Sequence, residues 1–245
     1  AAQMISTITR SLERRVDRGK LEQSQATATL ARLRTTTDLD ALRDCDLIIE
    51  SVVEDLDTKR HLFAHLGTVT RPDVILATNT STLPIVNIAA ATAYPERVLG
   101  IHFFNPATVM GLVEIVRPIT ATDEFVDAAH AFARACGKHT VNTKDEAGFV
   151  VNALLFPYLN SAVDLLERGV ASMEDIDASM RLGCAFPMGP FQLLDLVGLD
   201  TSLAILDALF DERGLTAAKA APTLRRLVAS GRLGKKSGAG FYDYP

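Results

Sequence analysis

Residues Val98–Val116 read VLGIHFFNPATVMGLVEIV. Two short apolar runs are each interrupted by one ionisable side chain, His102 in the first and Glu114 in the second. Runs of this length with β-branched and aromatic residues have the pattern of buried strands. A charged group inside such a strand is costly to bury unless it finds a partner. If the strands lie side by side, imidazole and carboxylate are each other's natural partner, and such a couple can do general acid–base work. Two blander readings stay open. A lone strand histidine can be a core residue satisfied by a carbonyl, and a His–Glu pair can be purely structural.

Outward from this stretch the chain alternates. Upstream, a helical pattern from Met4 to Leu33 is broken at Gly19, with Ile5, Ile8, Leu12 and Val16 on one face. Strands are expected at Asp44–Val53, Asp73–Thr80, Val98–Phe104, Leu112–Arg117 and His139–Thr143. Helices are expected at Glu54–Leu66, Pro84–Ala91 and Phe125–Cys136. Alternation of this kind implies a parallel, doubly wound α/β sheet of the Rossmann type. After residue 145 the pattern is helical throughout: Phe149–Gly169 with Pro157 inside it, Ser172–Leu182, Pro190–Val197, Leu199–Phe210 and Pro222–Ala229. The division expected is 1–145, a dinucleotide-binding domain, and 146–245, an all-helical domain. The sequence contains no GxGxxG, the turn that cradles a dinucleotide pyrophosphate. The first strands and that glycine-rich turn are therefore expected to lie outside this chain, leaving its first domain amino-terminally incomplete.

Composition narrows the class. Of 245 residues, 48% are hydrophobic and 22% charged, which suits a globular protein. A net charge of −5 argues against a nucleic-acid partner. No apolar run approaches the ~20 residues that span a bilayer, so no membrane role is expected. Cys45, Cys136 and Cys184 are far apart and form no CxxC, which fits reduced thiols in the cytoplasm and calls for no metal.

Other polar residues fall where a ligand could lie. Thr78-Asn79-Thr80-Ser81-Thr82 follows a buried strand at its carboxyl end, where open α/β sheets bind ligands. Equally, Ser81 or Thr82 could simply cap the next helix. Asn105-Pro106 reads as a turn just past the histidine strand, and Asn152 sits early in a long helix. Glu50, Glu54 and Lys59 form a polar edge, solvated or lining a crevice. The Gly234–Gly240 loop (GKKSGAG) could hold a phosphate, although it lacks the P-loop spacing and suits a flexible turn as well.

These blocks together resemble the L-3-hydroxyacyl-CoA dehydrogenases, most of all the bacterial 3-hydroxybutyryl-CoA enzymes. The matching segments are ATNTS (77–81), GIHFFNP (100–106), LVEIV (112–116), GFVVNAL (148–154), PMGPF (187–191), DLVGLD (195–200) and GKKSGAGFY (234–242), in family order. The resemblance implies reversible NAD-dependent oxidation of an (S)-3-hydroxyacyl-CoA to the 3-oxoacyl-CoA. It implies His102 as base, Glu114 as the partner that orients it, and Ser81 with Asn152 holding the substrate oxygens. Asn105 and Ser81 would face the nicotinamide end of NAD, with Glu54 and Lys59 along its ribose and Lys236 nearby. A helical second domain that forms a homodimer is implied too. The sequence departs from the family in pairing Ser81 with Thr82 rather than a second serine, and in lacking the acidic residue that selects NAD over NADP. Two rivals remain: a related hydroxyacid or sugar-acid dehydrogenase, and a non-catalytic binding protein on the same scaffold.

Overall fold

The structure, a computed structural model, describes residues 2–244. They form two compact units, one running through Cys45 together with Val69–Arg71, the other comprising Asp46–Thr68 and everything from Pro72 onward. The cut near residue 145 suggested by sequence texture falls inside the second unit. The first unit carries α1 (Ala2–Asp17) and α2 (Gln23–Ala31). Ile5, Ile8, Leu12 and Val16 are half-buried along one stripe of α1, as their spacing predicts. α2 opens on a capping box between Glu22 and Gln25.

The second unit holds a five-stranded sheet in the order β1-β2-β3-β4-β5, with β1 Leu47–Glu50, β2 Ile75–Thr78, β3 Val98–Phe103, β4 Leu112–Arg117 and β5 His139–Lys144. α3 (Leu56–Val69), α4 (Ile85–Ala89) and α5 (Asp123–Ala135) intervene. β1, β2 and β3 run parallel, as do β4 and β5, but β3 and β4 are antiparallel. The parallel expectation holds at the other three pairings and is corrected at β3–β4 alone. Only Phe104–Gly111 join β3 to β4, and a parallel return needs a crossover of roughly a dozen residues or more.

This reversal fixes the site. In the antiparallel register His102 lies directly opposite Glu114, and opposed residues project to the same face. Alternation along each strand does the rest. Leu99, Ile101, Val113 and Ile115 pack with Val126, Ala129 and Ala133 of α5. Gly100, His102, Glu114 and Val116 therefore face the other way. On that side α4 presses so close that a Cβ on Gly100 would lie 2.6 Å from Ile85 Cδ1.

The helices beyond residue 145 build a second core. α6 (Val151–Glu167) continues through Pro157, and α7 (Met173–Gly183), α8 (Pro190–Val197), α9 (Leu199–Arg213) and α10 (Pro222–Ala229) pack with it. Phe156, Leu159, Val163, Phe191, Leu194, Leu206, Leu209 and Leu224 are its buried members. Ser172 caps α7, its side chain accepting from Asp175 N.

The glycine-rich loop after α10 is pinned rather than a free turn. It wraps around the buried Asp195 carboxylate, which accepts from Phe241 N (2.8 Å), Tyr242 N (2.9 Å) and Tyr244 Oη (2.9 Å). Asp177, also buried, accepts from Phe191 N (2.8 Å) and Tyr242 Oη (2.9 Å). Burial and the Asp177 carboxylate push the Tyr242 phenol upward, so it stays a donor at any ordinary pH. A Cβ on Gly240 would sit 1.9 Å from Asp195 Oδ1 and 2.7 Å from the Gly234 backbone. Gly240→Ala is therefore expected to lower stability by about 2–3 kcal/mol, read as a drop in the melting midpoint. An unchanged midpoint would show the tail to be loosely held.

Candidate active site

At the carboxyl ends of β2 and β3, three side chains form one hydrogen-bonded line. Ser81 Oγ lies 2.9 Å from His102 Nε2, and His102 Nδ1 lies 2.8 Å from Glu114 Oε2. His102 is 4% exposed and Glu114 is fully buried. The other carboxylate oxygen, Glu114 Oε1, accepts from Val150 N and Val151 N at 3.0 Å each. These are the first amides of α6, whose N-terminus attracts negative charge. A carboxylate so placed is an acceptor on both oxygens, so Nδ1 carries the imidazole proton and donates it. Nε2 is left as a bare acceptor, receiving the Ser81 hydroxyl. That is the protonation pattern a base requires. Phe104 and Phe149 stand edge-on to the imidazole, with ring centroids 4.7 and 5.3 Å away.

A second network holds Ser81 from behind. Lys59 Nζ is 2.7 Å from Glu50 Oε1 and 3.2 Å from Glu54 Oε2. Thr78 donates to Glu50 at 2.7 Å. Glu54 Oε1 accepts from the Thr80 hydroxyl and, at 3.0 Å, from Ser81 N. Burial works to raise the Glu54 carboxyl, but the Thr80, Ser81 and Lys59 donors together hold it below the usual carboxylate range. The Lys59 side chain is 1% exposed whereas that of Glu54 is 40% exposed. Only Glu54 of this pair can therefore meet a ligand directly.

Other residues are placed less intimately. Neither Ser81 nor Thr82 caps α4; Asp145 does so across the chain, accepting from Ile85 N (2.8 Å) and Val86 N (2.7 Å). Burial raises the Asp145 carboxyl, against the lowering effect of those two amides. Asn105 is exposed at the start of the β3–β4 loop. Asn152 is 7% exposed in the first turn of α6. Neither amide bonds to His102, Glu114 or Ser81 among the described residues. Lys236 reaches Asp200 at 2.7 Å. Glu54, Ser81 and Thr82 then line one wall of a cleft of about 410 Å³, with Asp200, Thr201, Ala204 and Ile205 on the other.

Sequence reasoning paired His102 with Glu114 and singled out Ser81, but it missed the Ser81–His102 bond and the backbone donors to Glu114, because every residue carries an amide and none announces its direction. It also missed Asp200, for which the acidic residue opening α9 was the available signal.

For a dinucleotide, the residues present fit one end. An accessible carboxylate (Glu54) and the hydroxyls of Ser81 and Thr82 along one cleft suit the hydroxyls of a nicotinamide riboside. A glycine turn for the pyrophosphate is not found in this sequence. No group of three or more candidate metal ligands occurs among the described residues, and no described helix is long and apolar enough to cross a membrane.

Comparison with known proteins gives a consistent picture. The family model for the 3-hydroxyacyl-CoA dehydrogenase NAD binding domain matches residues 1–146, and that for the C-terminal domain of the same enzymes matches 148–244. A 3-hydroxybutyryl-CoA dehydrogenase of Mycobacterium tuberculosis is 48% identical over 239 residues, covering 97% of this chain and 84% of that protein. The human mitochondrial hydroxyacyl-coenzyme A dehydrogenase is 45% identical over 220 residues, covering 88% of this chain and 69% of its own. Among solved structures, (S)-3-hydroxybutyryl-CoA dehydrogenase from Ralstonia eutropha superposes with a TM-score of 0.97 at 38% identity, covering all of this chain and 86% of the other.

Proposed function

This chain belongs to the 3-hydroxyacyl-CoA dehydrogenase family, and on that premise we propose how its own residues carry out the family's NAD-dependent oxidation. The substrate we propose is a short (S)-3-hydroxyacyl-CoA, 3-hydroxybutyryl-CoA foremost, converted reversibly to the 3-oxoacyl-CoA. Glu54, Ser81 and Asn105 would hold the nicotinamide end of NAD, which would supply the hydride acceptor for C3. Everything else is done by side chains described above.

His102 accepts the proton of the 3-hydroxyl at Nε2, the nitrogen left bare by the Nδ1–Glu114 bond. Glu114 keeps the imidazole in that tautomer and steadies the imidazolium that forms, while the α6 amides keep Glu114 in place. Ser81, already bonded to Nε2, marks where a hydroxyl can sit, and its hydroxyl turns to the substrate oxygen. Asn152 supplies a second donor to that oxygen. A nearly buried amide with no hydrogen-bond partner among the described residues is what such a role needs. Holding the reacting atoms in line in this way can be worth up to about 7–11 kcal/mol of the barrier.

On the cofactor side, Glu54 bonds the ribose hydroxyls, Ser81 and Asn105 approach the nicotinamide, and Lys59 acts through Glu54 rather than by contact. Lys236 bonds to Asp200, which lines the same cleft. The roles divide at residue 145, with 1–145 serving the cofactor and 146–245 the substrate. The helical half also pairs in a homodimer, for which Leu154 (72% exposed) and Leu182 (82%) offer apolar surface. We place the enzyme in the cytoplasm, where its three free thiols suit a reducing compartment.

The observation that carries this reading is the Ser81–His102–Glu114 line, held between the sheet and the start of α6. Its test is reduction of acetoacetyl-CoA by NADH, with a free 3-oxoacid as competitor. Turnover of the thioester is expected to exceed that of the free acid by at least about 10²-fold, since remote binding energy serves the reacting centre. Turnover of the free acid alone would favour the hydroxyacid rival, and binding without turnover the non-catalytic one.

A further inference from the structure

Phe149 has a backbone no phenylalanine prefers. Its φ is +50°, directly after Gly148 at +72°, and left-handed backbone strains any residue with a Cβ. A turn needing that conformation is ordinarily given glycine. Here the chain carries a bulky ring instead, 6% exposed, with its centroid 5.3 Å from that of His102. The next two residues, Val150 and Val151, are those whose amides hold Glu114 Oε1. The segment leading in is anchored independently of the dyad. Asp145 caps α4, Ala147 N donates to Glu212 Oε1 at 2.9 Å, and Phe149 N donates to Glu146 O at 3.0 Å.

We propose that Phe149 is a positioning residue for the reaction: its left-handed backbone aims the Val150 and Val151 amides at Glu114 while its ring fixes the edge of the His102 imidazole. This rests on the reading of His102 as base and Glu114 as its partner, and deepens it. An extended backbone at 149 would swing both amides off the carboxylate. A glycine would make the turn freely but leave one edge of the imidazole open to water. One residue meets both needs at the cost of strain, and strained backbone of this kind gathers where function requires it.

Two substitutions separate the parts. Phe149→Gly keeps the turn and removes the ring, and Phe149→Leu keeps apolar bulk at the same backbone conformation. In the glycine variant kcat for acetoacetyl-CoA reduction is expected to fall about tenfold, with KM within about twofold, and the leucine variant to recover most of the loss. A second readout needs neither cofactor nor turnover. The low-field proton resonance of His102 Nδ1–H, identified by its loss in His102→Ala, is expected to broaden and move upfield in Phe149→Gly. A glycine variant with normal kcat per folded molecule and an unmoved resonance would overturn the proposal. If it does not fold, Phe149→Ala decides on the same two measurements, and failure of both to fold would make Phe149 a packing residue and overturn it too. Should the wild type not turn over acetoacetyl-CoA, the substrate reading fails while the resonance still decides the role of Phe149.

Discussion

His102→Ala is expected to lower kcat by about 10²–10⁴-fold, the range in which a positioned general base contributes. The loss should fall on kcat and kcat/KM alike, because the imidazole acts on the hydroxyl proton only as the bond to hydrogen breaks. Removing it also strands Glu114 Oε2, although Oε1 keeps its two amides. The carboxylate thus stays partly satisfied and the fold should survive. His102→Gln, which can still donate to Glu114, is the control for packing. The measurement is steady-state turnover alongside a thermal melt. A folded alanine variant retaining half the wild-type rate would remove His102 from the chemistry.

Glu114→Gln is expected to be nearly as severe, and for a different reason. Three donors converge on this carboxylate: the His102 Nδ1–H and two amides. A glutamine has one acceptor oxygen and one NH₂ donor, so it must turn the NH₂ toward either the helix or the imidazole. Facing the imidazole, it forces the proton onto Nε2 and abolishes the base. Amidation of the orienting carboxylate in a serine-protease triad costs about 10⁴-fold through the same wrong tautomer, and a loss of that order is expected here. Facing the helix, it leaves two amides against a donor, and the penalty is paid in stability. Glu114→Ala separates the two terms: with three donors orphaned in a buried site, it should destabilise by about 3–5 kcal/mol. Full activity in the glutamine variant would show that the pair is structural.

Much of this was legible in the chain. β4 and α10 fall at the residues their patterns marked, and α6 to within two residues at each end. The His–Glu pairing was legible too, because two lone ionisable groups in apolar runs have few other ways to be buried. The antiparallel return was available from the short 104–111 connection but was overridden by the general rhythm of strand and helix. The contacts that could not be read are the long-range ones. Asp145 capping α4, Asp195 gathering the tail and Glu54 gripping the Ser81 amide join residues tens of positions apart. Local pattern carries no information about which carboxylate meets which amide. Lys59 is the instructive case. Its helical position suggested an edge, but Glu50 and Glu54 hold its ammonium inside, where a charge is tolerated only when paired.

Glu114 is shared property. One oxygen serves a strand and the other a helix, so on the proposed mechanism both elements set the aim of a single proton acceptor. A displacement of about 1 Å at a reacting centre can cost about 10²-fold in rate. Drift in either element is therefore expected to surface as sluggish chemistry. On the proposed mechanism the seating of α6 on the sheet is expected to be read in turnover as well as in folding.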